Sequence, residues 1–192
     1  WYNSFNGSFS ADGKYLFFIS SRDFNPDFSD IESTISYSDM NNIYFVSLNK
    51  DIPSLFKPKS DEVELIKSEV KKEETDKKKE TKTPDIAIEN KIDIDGIQSR
   101  IVKLPIAPSN YFNLNPAENK LYYQRRGKND EKTTLYLYDF DKREEKNLGQ
   151  ADGYEISANK KKMIVAQSET YAIIDIPSSE VKISDKLNLS GL

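Results

Sequence analysis

One short unit recurs three times along the chain and strongly limits the folds that the chain can form. It consists of an apolar residue, a polar turn, a lysine and an apolar run, as in FSADGKYLFF from Phe9, LNPAENKLYY from Leu114 and ISANKKKMIV from Ile156. We read the turn of the second copy as one residue longer. Leu114 and Ile156 are 42 residues apart, within the roughly 40–50 residues of one four-stranded propeller blade. The repeat therefore predicts a β-propeller.

Further segments rich in Tyr, Ile, Val and Phe supply the other strands of each unit, because these residues suit a pleated, half-buried surface. The additional strands are predicted at 2–9, 110–114 and 153–156, at 41–49, 133–141 and 170–177, and at 99–105, 143–149 and 179–184. An antiparallel sandwich is the alternative. The fixed period favours an all-β fold, a partial β-propeller of about three four-stranded antiparallel blades with a long charged insertion.

The charged insertion covers residues 57–91, where lysine and glutamate dominate and aromatic residues are absent. Such a composition cannot bury enough apolar surface to offset the entropy of ordering, so we expect a flexible segment. A docking arm for a partner is the alternative to a solvated loop. The predicted divisions are 1–56 (first blade, strands one to three), 57–91 (charged flexible insertion), 92–109 (fourth strand of the first blade and linker), 110–149 (second blade) and 150–192 (third blade and exit strand).

Composition excludes several kinds of chemistry. The chain has neither cysteine nor histidine, so thiol catalysis and the usual general base of serine hydrolases are absent. A net charge of −4 gives no reason to expect nucleic acid. No apolar run approaches the ~20 residues of a membrane helix. We therefore predict a chain that is itself non-catalytic, and assign it no catalytic, cofactor-binding or metal-binding residue and no cofactor.

The motif DIDG at 93–96 is similar to the start of a calcium loop. An EF-hand needs about six oxygen ligands within about twelve residues, the last of them a glutamate. The twelfth position from Asp93 is Leu104. A turn that leads into the next strand is therefore the favoured interpretation.

Two polar motifs lie at predicted strand ends. In QRRG, a guanidinium of Arg125 or Arg126 could hold a peptide carboxylate, but neighbours in a strand point to opposite faces, so at most one could face a site. Solvation at the surface is the favoured interpretation. In SSRD, Ser20 and Ser21 lack both the G-x-S-x-G pattern and a base, so they are interpreted as turn or strand-end residues.

A resemblance to a known family rests on several of these segments. FSADGKYLFFISSRD resembles the repeat of TolB-like and Tricorn-like propellers, which are also described as WD40-like. The segments at 21–48 and 91–111 resemble parts of the second propeller of bacterial Tricorn-type serine peptidases. DKLNLSGL at the end of the chain resembles the strand that leaves that propeller. The chain thus resembles the C-terminal part of this propeller.

The resemblance implies a β-propeller that scaffolds proteolysis and gives peptides access to a separate catalytic domain with a serine nucleophile. The implied partners are peptide substrates, the remaining blades, and the PDZ-like and catalytic domains of a parent serine peptidase, a hydrolase. A cytoplasmic location is implied, and a periplasmic or envelope location stays open. The alternative function is a TolB-like module that binds a protein partner.

Three blade-like units are fewer than the roughly four to eight of a closed propeller. Tyr15, Phe17 and Phe18 alternate across their strand, so some of these rings should face a missing neighbour. Exposed apolar patches of this kind usually mark an interface. We therefore expect the isolated chain to self-associate as a homo-oligomer, or to be stable only within its parent.

Overall fold

The computed structural model describes residues 2–23, 27–28, 35–36, 39–57, 92–183 and 186–190. The predicted flexible insertion at 57–91 therefore lies outside the described residues, apart from Lys57. Within these ranges no helix is long and apolar enough to cross a membrane.

Thirteen β-strands occur in the described parts of the chain. They are Ser4–Phe9 (β1), Tyr15–Ser20 (β2), Asp27–Phe28 (β3), Ile35–Ser36 (β4), Asn42–Ser47 (β5), Ile101–Lys103 (β6), Tyr111–Ala117 (β7), Lys120–Arg125 (β8), Thr134–Asp139 (β9), Glu144–Gln150 (β10), Gly153–Ile156 (β11), Lys162–Gln167 (β12) and Thr170–Asp175 (β13). A 3₁₀ turn at Ile97–Arg100 precedes β6.

These strands form three antiparallel sheets that follow one another along the chain. The first sheet has the order β1-β2-β5-β6, the second β10-β9-β8-β7 and the third β11-β12-β13, while β3 and β4 pair separately. In each sheet, sequential strands are neighbours, as in the blades of a propeller. The prediction of an all-β fold with antiparallel blades is confirmed.

The turn of the repeated unit is held by its serine and its acidic residue. The Ser10 hydroxyl oxygen accepts a hydrogen bond from the Tyr15 amide at 2.9 Å, and Asp12 Oδ1 accepts one from the Lys14 amide at 3.1 Å. The third sheet repeats both bonds with different residues. The equivalent bonds run from the Lys162 amide to Ser157 Oγ (3.0 Å) and from the Lys161 amide to Asn159 Oδ1 (3.1 Å).

The turn of the second unit is shorter than the others, so the prediction of a longer turn was wrong. The cross-strand pairs that close the three hairpins are Phe9 with Leu16, Ala117 with Lys120, and Ile156 with Met163. Only Glu118 and Asn119 lie between the second pair. In the second unit β7 continues through Pro116 to Ala117, and this longer strand uses residues that the sequence comparison had assigned to the turn.

The backbone conformation of the turn in the first unit explains why a glycine stands at position 13. Gly13 has a φ of 67° and the equivalent Lys160 a φ of 57°, both in the left-handed region that side chains disfavour. We expect Gly13→Val to lower the free energy of unfolding by roughly 1–2 kcal/mol. Lys160→Gly should raise it by about 0.5 kcal/mol, because relief of strain exceeds the added entropy of the unfolded chain. Urea denaturation measures the free energy of unfolding of both variants. Equal changes of the same sign in the two variants would contradict this expectation.

Two clusters of buried side chains separate the three sheets. The cluster between the first and second sheets is rich in aromatic residues, whereas the one between the second and third is mainly aliphatic. On β8, Leu121 and Tyr123 point toward the first sheet and Tyr122 toward the third. The second sheet is therefore buried on both faces, as strand alternation requires.

Within the described residues, the third sheet has no fourth strand at 179–183, although one was predicted at 179–184. Residues 179–183 form no strand, and the Val181 amide donates to Leu148 O of the second sheet at 2.8 Å. The edge of β13 is met later in the chain, because Lys186 forms a β-bridge with Ala172 and the Leu187 amide donates to Tyr171 O at 2.8 Å. The Val181 side chain packs with the second cluster, which draws this segment toward the neighbouring sheet.

Candidate functional site

The three sheets converge at their first strands. β1 lies beside β7, and β7 is tied to β11 because Asn113 Nδ2 donates to Tyr154 O at 2.8 Å while the Tyr154 hydroxyl donates to Asn113 O. Such convergence places the first strand of each blade around the axis of a propeller. The edges of β1, β7 and β11 therefore form the axial surface of this chain.

Two of these axial strands carry a β-bulge at the same position. The pairing with β2 shifts between Phe5 and Ser8, and the pairing with β8 shifts between Phe112 and Asn115. The residue after each phenylalanine has a positive φ, 54° for Asn6 and 51° for Asn113. Asparagine tolerates this left-handed conformation better than most residues. The third sheet pairs without such a shift.

The bulges present two aromatic rings. Phe5 and Phe112 are each 45% exposed, although the strands that pair with theirs, β2 and β8, are largely buried. Bulges redirect side chains and are common near functional sites. An exposed aromatic ring gives an apolar contact for a passing chain. The dipeptide Phe-Asn at 5–6 and again at 112–113 was a sequence signal for this pair that the repeat comparison missed.

The link between β7 and β11 fixes the position of the second bulge. Tyr154 is 5% exposed, and burial raises the pKa of its hydroxyl well above the ordinary value, so the group stays a hydrogen-bond donor. The Tyr154 hydroxyl donates to Asn113 O, and Asn113 Nδ2 donates to Tyr154 O. These two hydrogen bonds hold Asn113 in its left-handed conformation. The Phe112 ring is therefore presented by a restrained backbone.

Arg125 of the QRRG motif is not a solvated surface residue, and that interpretation was wrong for it. Its guanidinium carbon lies 4.0 Å from the centre of the Tyr136 ring, and Nη1 lies 3.3 Å from a Glu145 carboxylate oxygen. The Tyr123 hydroxyl donates to Glu145 at 2.5 Å. Arg126, by contrast, is exposed and its Nε donates to Asp130 O at 3.4 Å.

The surroundings of Arg125 show why it cannot serve as a free anion receptor. Burial and the Glu145 carboxylate raise the pKa of Tyr123, which therefore remains a neutral donor to that carboxylate. Glu145 neutralises Arg125, and the Tyr136 ring lies against its guanidinium. The cluster thus stabilises the contact between the first two sheets, and the charge of Arg125 is already engaged by a carboxylate of the same sheet.

The loop at Asp93 is a structural turn. Asp93 Oδ2 accepts the Lys50 amide at 3.1 Å, and the Arg100 guanidinium donates to the carbonyl oxygens of Asp93, Asp95 and Ser47. Gly96 has a φ of 68°, which the tight turn before Ile97–Arg100 requires. Among the residues that the structure describes, no group of three or more acidic side chains could hold a metal ion.

The hydroxyl of Ser20 is fully engaged at the end of β2. It donates to Asn3 O at 3.1 Å and accepts from Ser4 Oγ at 3.0 Å and from Arg22 Nε at 3.3 Å. The Ser20 residue is fully buried. Ser20 therefore fixes the entry of β1 against β2.

Successive antiparallel sheets, converging at their first strands and packed face to face, are the blades of a partial β-propeller. The family model for the Tricorn protease second beta propeller domain matches residues 1–177, and the chain belongs to this family. The sequence resemblance to the second Tricorn propeller is thereby confirmed.

Two relatives show how much of a larger protein this chain represents. Tricorn protease homolog 1 of Streptomyces coelicolor is 25% identical in an alignment of 178 residues, which covers 85% of this chain and 16% of that protein. The crystal structure of the tricorn protease superposes with a TM-score of 0.64 at 16% identity, covering 91% of this chain and 16% of the other. The chain thus spans about a sixth of the length of each relative.

Proposed function

We propose that this chain is the non-catalytic propeller portion of a Tricorn-type serine peptidase. In this role it scaffolds the enzyme and guides peptides along the axial surface toward a separate catalytic domain. Its partners are then peptide substrates, the remaining blades, and the PDZ-like and catalytic domains of the parent. The observation that carries the proposal is the convergence of β1, β7 and β11, the first strands of the three sheets, in a chain that belongs to the second Tricorn propeller family. By the same resemblance we assign the parent to the cytoplasm.

The rings fit a guiding surface better than a specific pocket. Two apolar contacts, one on β1 and one on β7, favour transient binding of many sequences, since contact energy is small and no side-chain pocket selects one residue. By register, the position of Phe5 and Phe112 is occupied in the third sheet by Gly153, so that sheet presents no equivalent ring.

Binding of labelled unfolded peptides tests the guiding role. Fluorescence anisotropy with apolar decapeptides should show weak binding, which the double variant Phe5→Ser, Phe112→Ser reduces at least fivefold because both apolar contacts are lost. The matched control is Tyr171→Ser, which removes an exposed ring on the third sheet and should leave binding unchanged. Equal loss in the control, or no loss in the double variant, would reject the guiding role.

We also expect this chain to hydrolyse no peptide. It contains no histidine or cysteine, and the Ser20 hydroxyl is enclosed by three hydrogen bonds without a base. Mass spectrometry of a broad peptide library after incubation should find every peptide intact. Cleavage that disappears when a serine of this chain is replaced would refute the claim.

A further inference from the structure

The bulge on β1 contains a pair of residues that can react with each other. Asn6 is followed by Gly7, and no other asparagine of the chain precedes a glycine. A glycine has no Cβ, so its backbone nitrogen can approach the side-chain amide of the preceding asparagine closely. Asn-Gly is for this reason the dipeptide in which an asparagine loses its side-chain amide most readily.

The bulge leaves this dipeptide outside the regular pairing of β1 with β2. Phe5 pairs with Ile19 and Ser8 with Phe17, whereas Asn6 and Gly7 have no partner in the register. Both residues are exposed. The ladder is disrupted at a bulge, so it does not fix the residues there as it fixes paired ones. The backbone at Asn6 and Gly7 can therefore adjust its conformation.

The Asn6 side chain is not restrained either. Among the described residues, none forms a hydrogen bond with its amide group. Gly7 does not belong to the glycines with a positive φ, and a Cβ at position 7 would lie 3.5 Å from Leu16 Cδ1, which is an ordinary contact. The fold thus accepts a side chain at position 7, and the glycine there has a chemical consequence rather than a structural necessity.

The second bulge carries the equivalent asparagine in a protected form. Asn113 also has a positive φ and no partner in the register with β8. Its Nδ2 donates to Tyr154 O at 2.8 Å, and the Tyr154 hydroxyl donates to Asn113 O. The residue that follows is Leu114, which is 4% exposed. The two bulges therefore differ in the features that control attack of a backbone nitrogen on the asparagine side chain.

We propose that Asn6 is a site of spontaneous deamidation, at which the axial surface gains a negative charge. The Gly7 backbone nitrogen gives its proton to a base in solution and forms a bond to Asn6 Cγ. The bond from Cγ to the side-chain nitrogen breaks, and this nitrogen takes a proton from solvent and leaves as ammonia. The product is a five-membered succinimide that joins positions 6 and 7.

Water then opens the succinimide at one of its two carbonyl carbons. Attack at the side-chain carbon gives aspartate, and attack at the backbone carbon gives isoaspartate, in which the chain continues through the former side chain. Both routes consume one water and release one ammonia in total, and neither needs an oxidant or a reductant. Because position 6 follows Phe5 directly, the new carboxylate lies beside an exposed ring of the axial surface.

Peptide mapping by mass spectrometry of the folded chain tests the proposal. During incubation at about pH 9 the peptide that contains Asn6 should first lose ammonia and then gain a carboxylate, while the peptide that contains Asn113 keeps its amide. The loss should be slower at about pH 7, because a base must remove the proton of the Gly7 nitrogen. Chromatography should separate two products at position 6, aspartate and isoaspartate.

A substitution at position 7 tests the role of the glycine. Gly7→Ala should slow the loss of the Asn6 amide roughly fivefold or more, because the added Cβ hinders approach of the backbone nitrogen. The matched control is Gly153→Ala on β11, where a Cβ would lie 4.0 Å from that of Ala166, and it should leave the rate at Asn6 unchanged. Circular dichroism before and after incubation confirms that each chain is folded.

Three results would overturn the proposal. Asn6 could keep its amide after a free peptide of residues 2–10 has been converted completely, which would show that the fold protects it. Asn113 could be converted as fast as Asn6, or Gly7→Ala could leave the rate unchanged. If Gly7→Ala does not fold, the products of the unchanged chain decide, because aspartate without isoaspartate would indicate direct hydrolysis and exclude attack by the Gly7 nitrogen.

Discussion

Replacement of Phe45 by alanine is expected to lower the free energy of unfolding by about 3–5 kcal/mol. Phe45 is fully buried on β5, and its ring centre lies 5.4–6.2 Å from those of Tyr15, Phe17, Phe56 and Phe140. These rings come from the first sheet, from the segment before the insertion and from the second sheet. Loss of the ring therefore opens a cavity where three parts of the chain meet.

Urea denaturation followed by circular dichroism measures this loss. The control is Phe9→Ala, since Phe9 is 59% exposed and a surface truncation should change stability by less than about 0.5 kcal/mol. A loss below about 1 kcal/mol for Phe45→Ala would mean that the two sheets repack around the gap. The aromatic cluster would then contribute far less to the contact between the sheets than its burial indicates.

Strand positions were well predicted because period-two alternation and aromatic content are strong local signals. The segments predicted at 41–49, 133–141 and 170–177 contain β5, β9 and β13. The antiparallel order of the sheets followed from the same repeat, and the family resemblance added which propeller the blades belong to.

The errors occurred where packing between sheets decides the outcome. SEVKIS at 179–184 alternates like a strand, but Val181 bonds to Leu148 and packs with the second cluster. The turn length in the second unit was wrong because Pro116 and Ala117 look like turn residues yet continue β7. Neither the packing of Val181 nor the continuation of β7 can be inferred from the sequence period alone.

The candidate surfaces were harder to predict than the strands. The bulges at Asn6 and Asn113 depend on backbone conformation, for which Phe-Asn is only a weak signal. Arg125 was interpreted as solvated because its partner Glu145 lies 20 residues further along the chain, on a strand two positions away in the sheet. Stacking of Arg22 on Phe18 and Tyr44 likewise joins residues that only the folded sheet brings together.

The chain is expected to lose much of its stability between about pH 10 and pH 12. Burial raises the pKa of Tyr122 to about 12, and burial also raises the pKa of Tyr111, Tyr123 and Tyr154 above the ordinary value. In the unfolded chain, tyrosine ionises near pH 10. These groups therefore contribute their full stability below pH 10, and the contribution falls as pH rises toward the folded values. Each unit of pKa difference corresponds to about 1.4 kcal/mol.

Urea midpoints at about pH 8 and about pH 11 measure the effect, with tyrosinate absorbance reporting ionisation during unfolding. Tyr122→Phe should shift the alkaline transition to higher pH, since one ionisable group is removed. It should also cost about 1 kcal/mol at neutral pH, because the Tyr122 hydroxyl donates to Pro177 O at 2.9 Å. Ionisation of all tyrosines near pH 10 without unfolding would show that the rings are accessible to solvent. The buried position of Tyr122 between the second and third sheets would then be wrong.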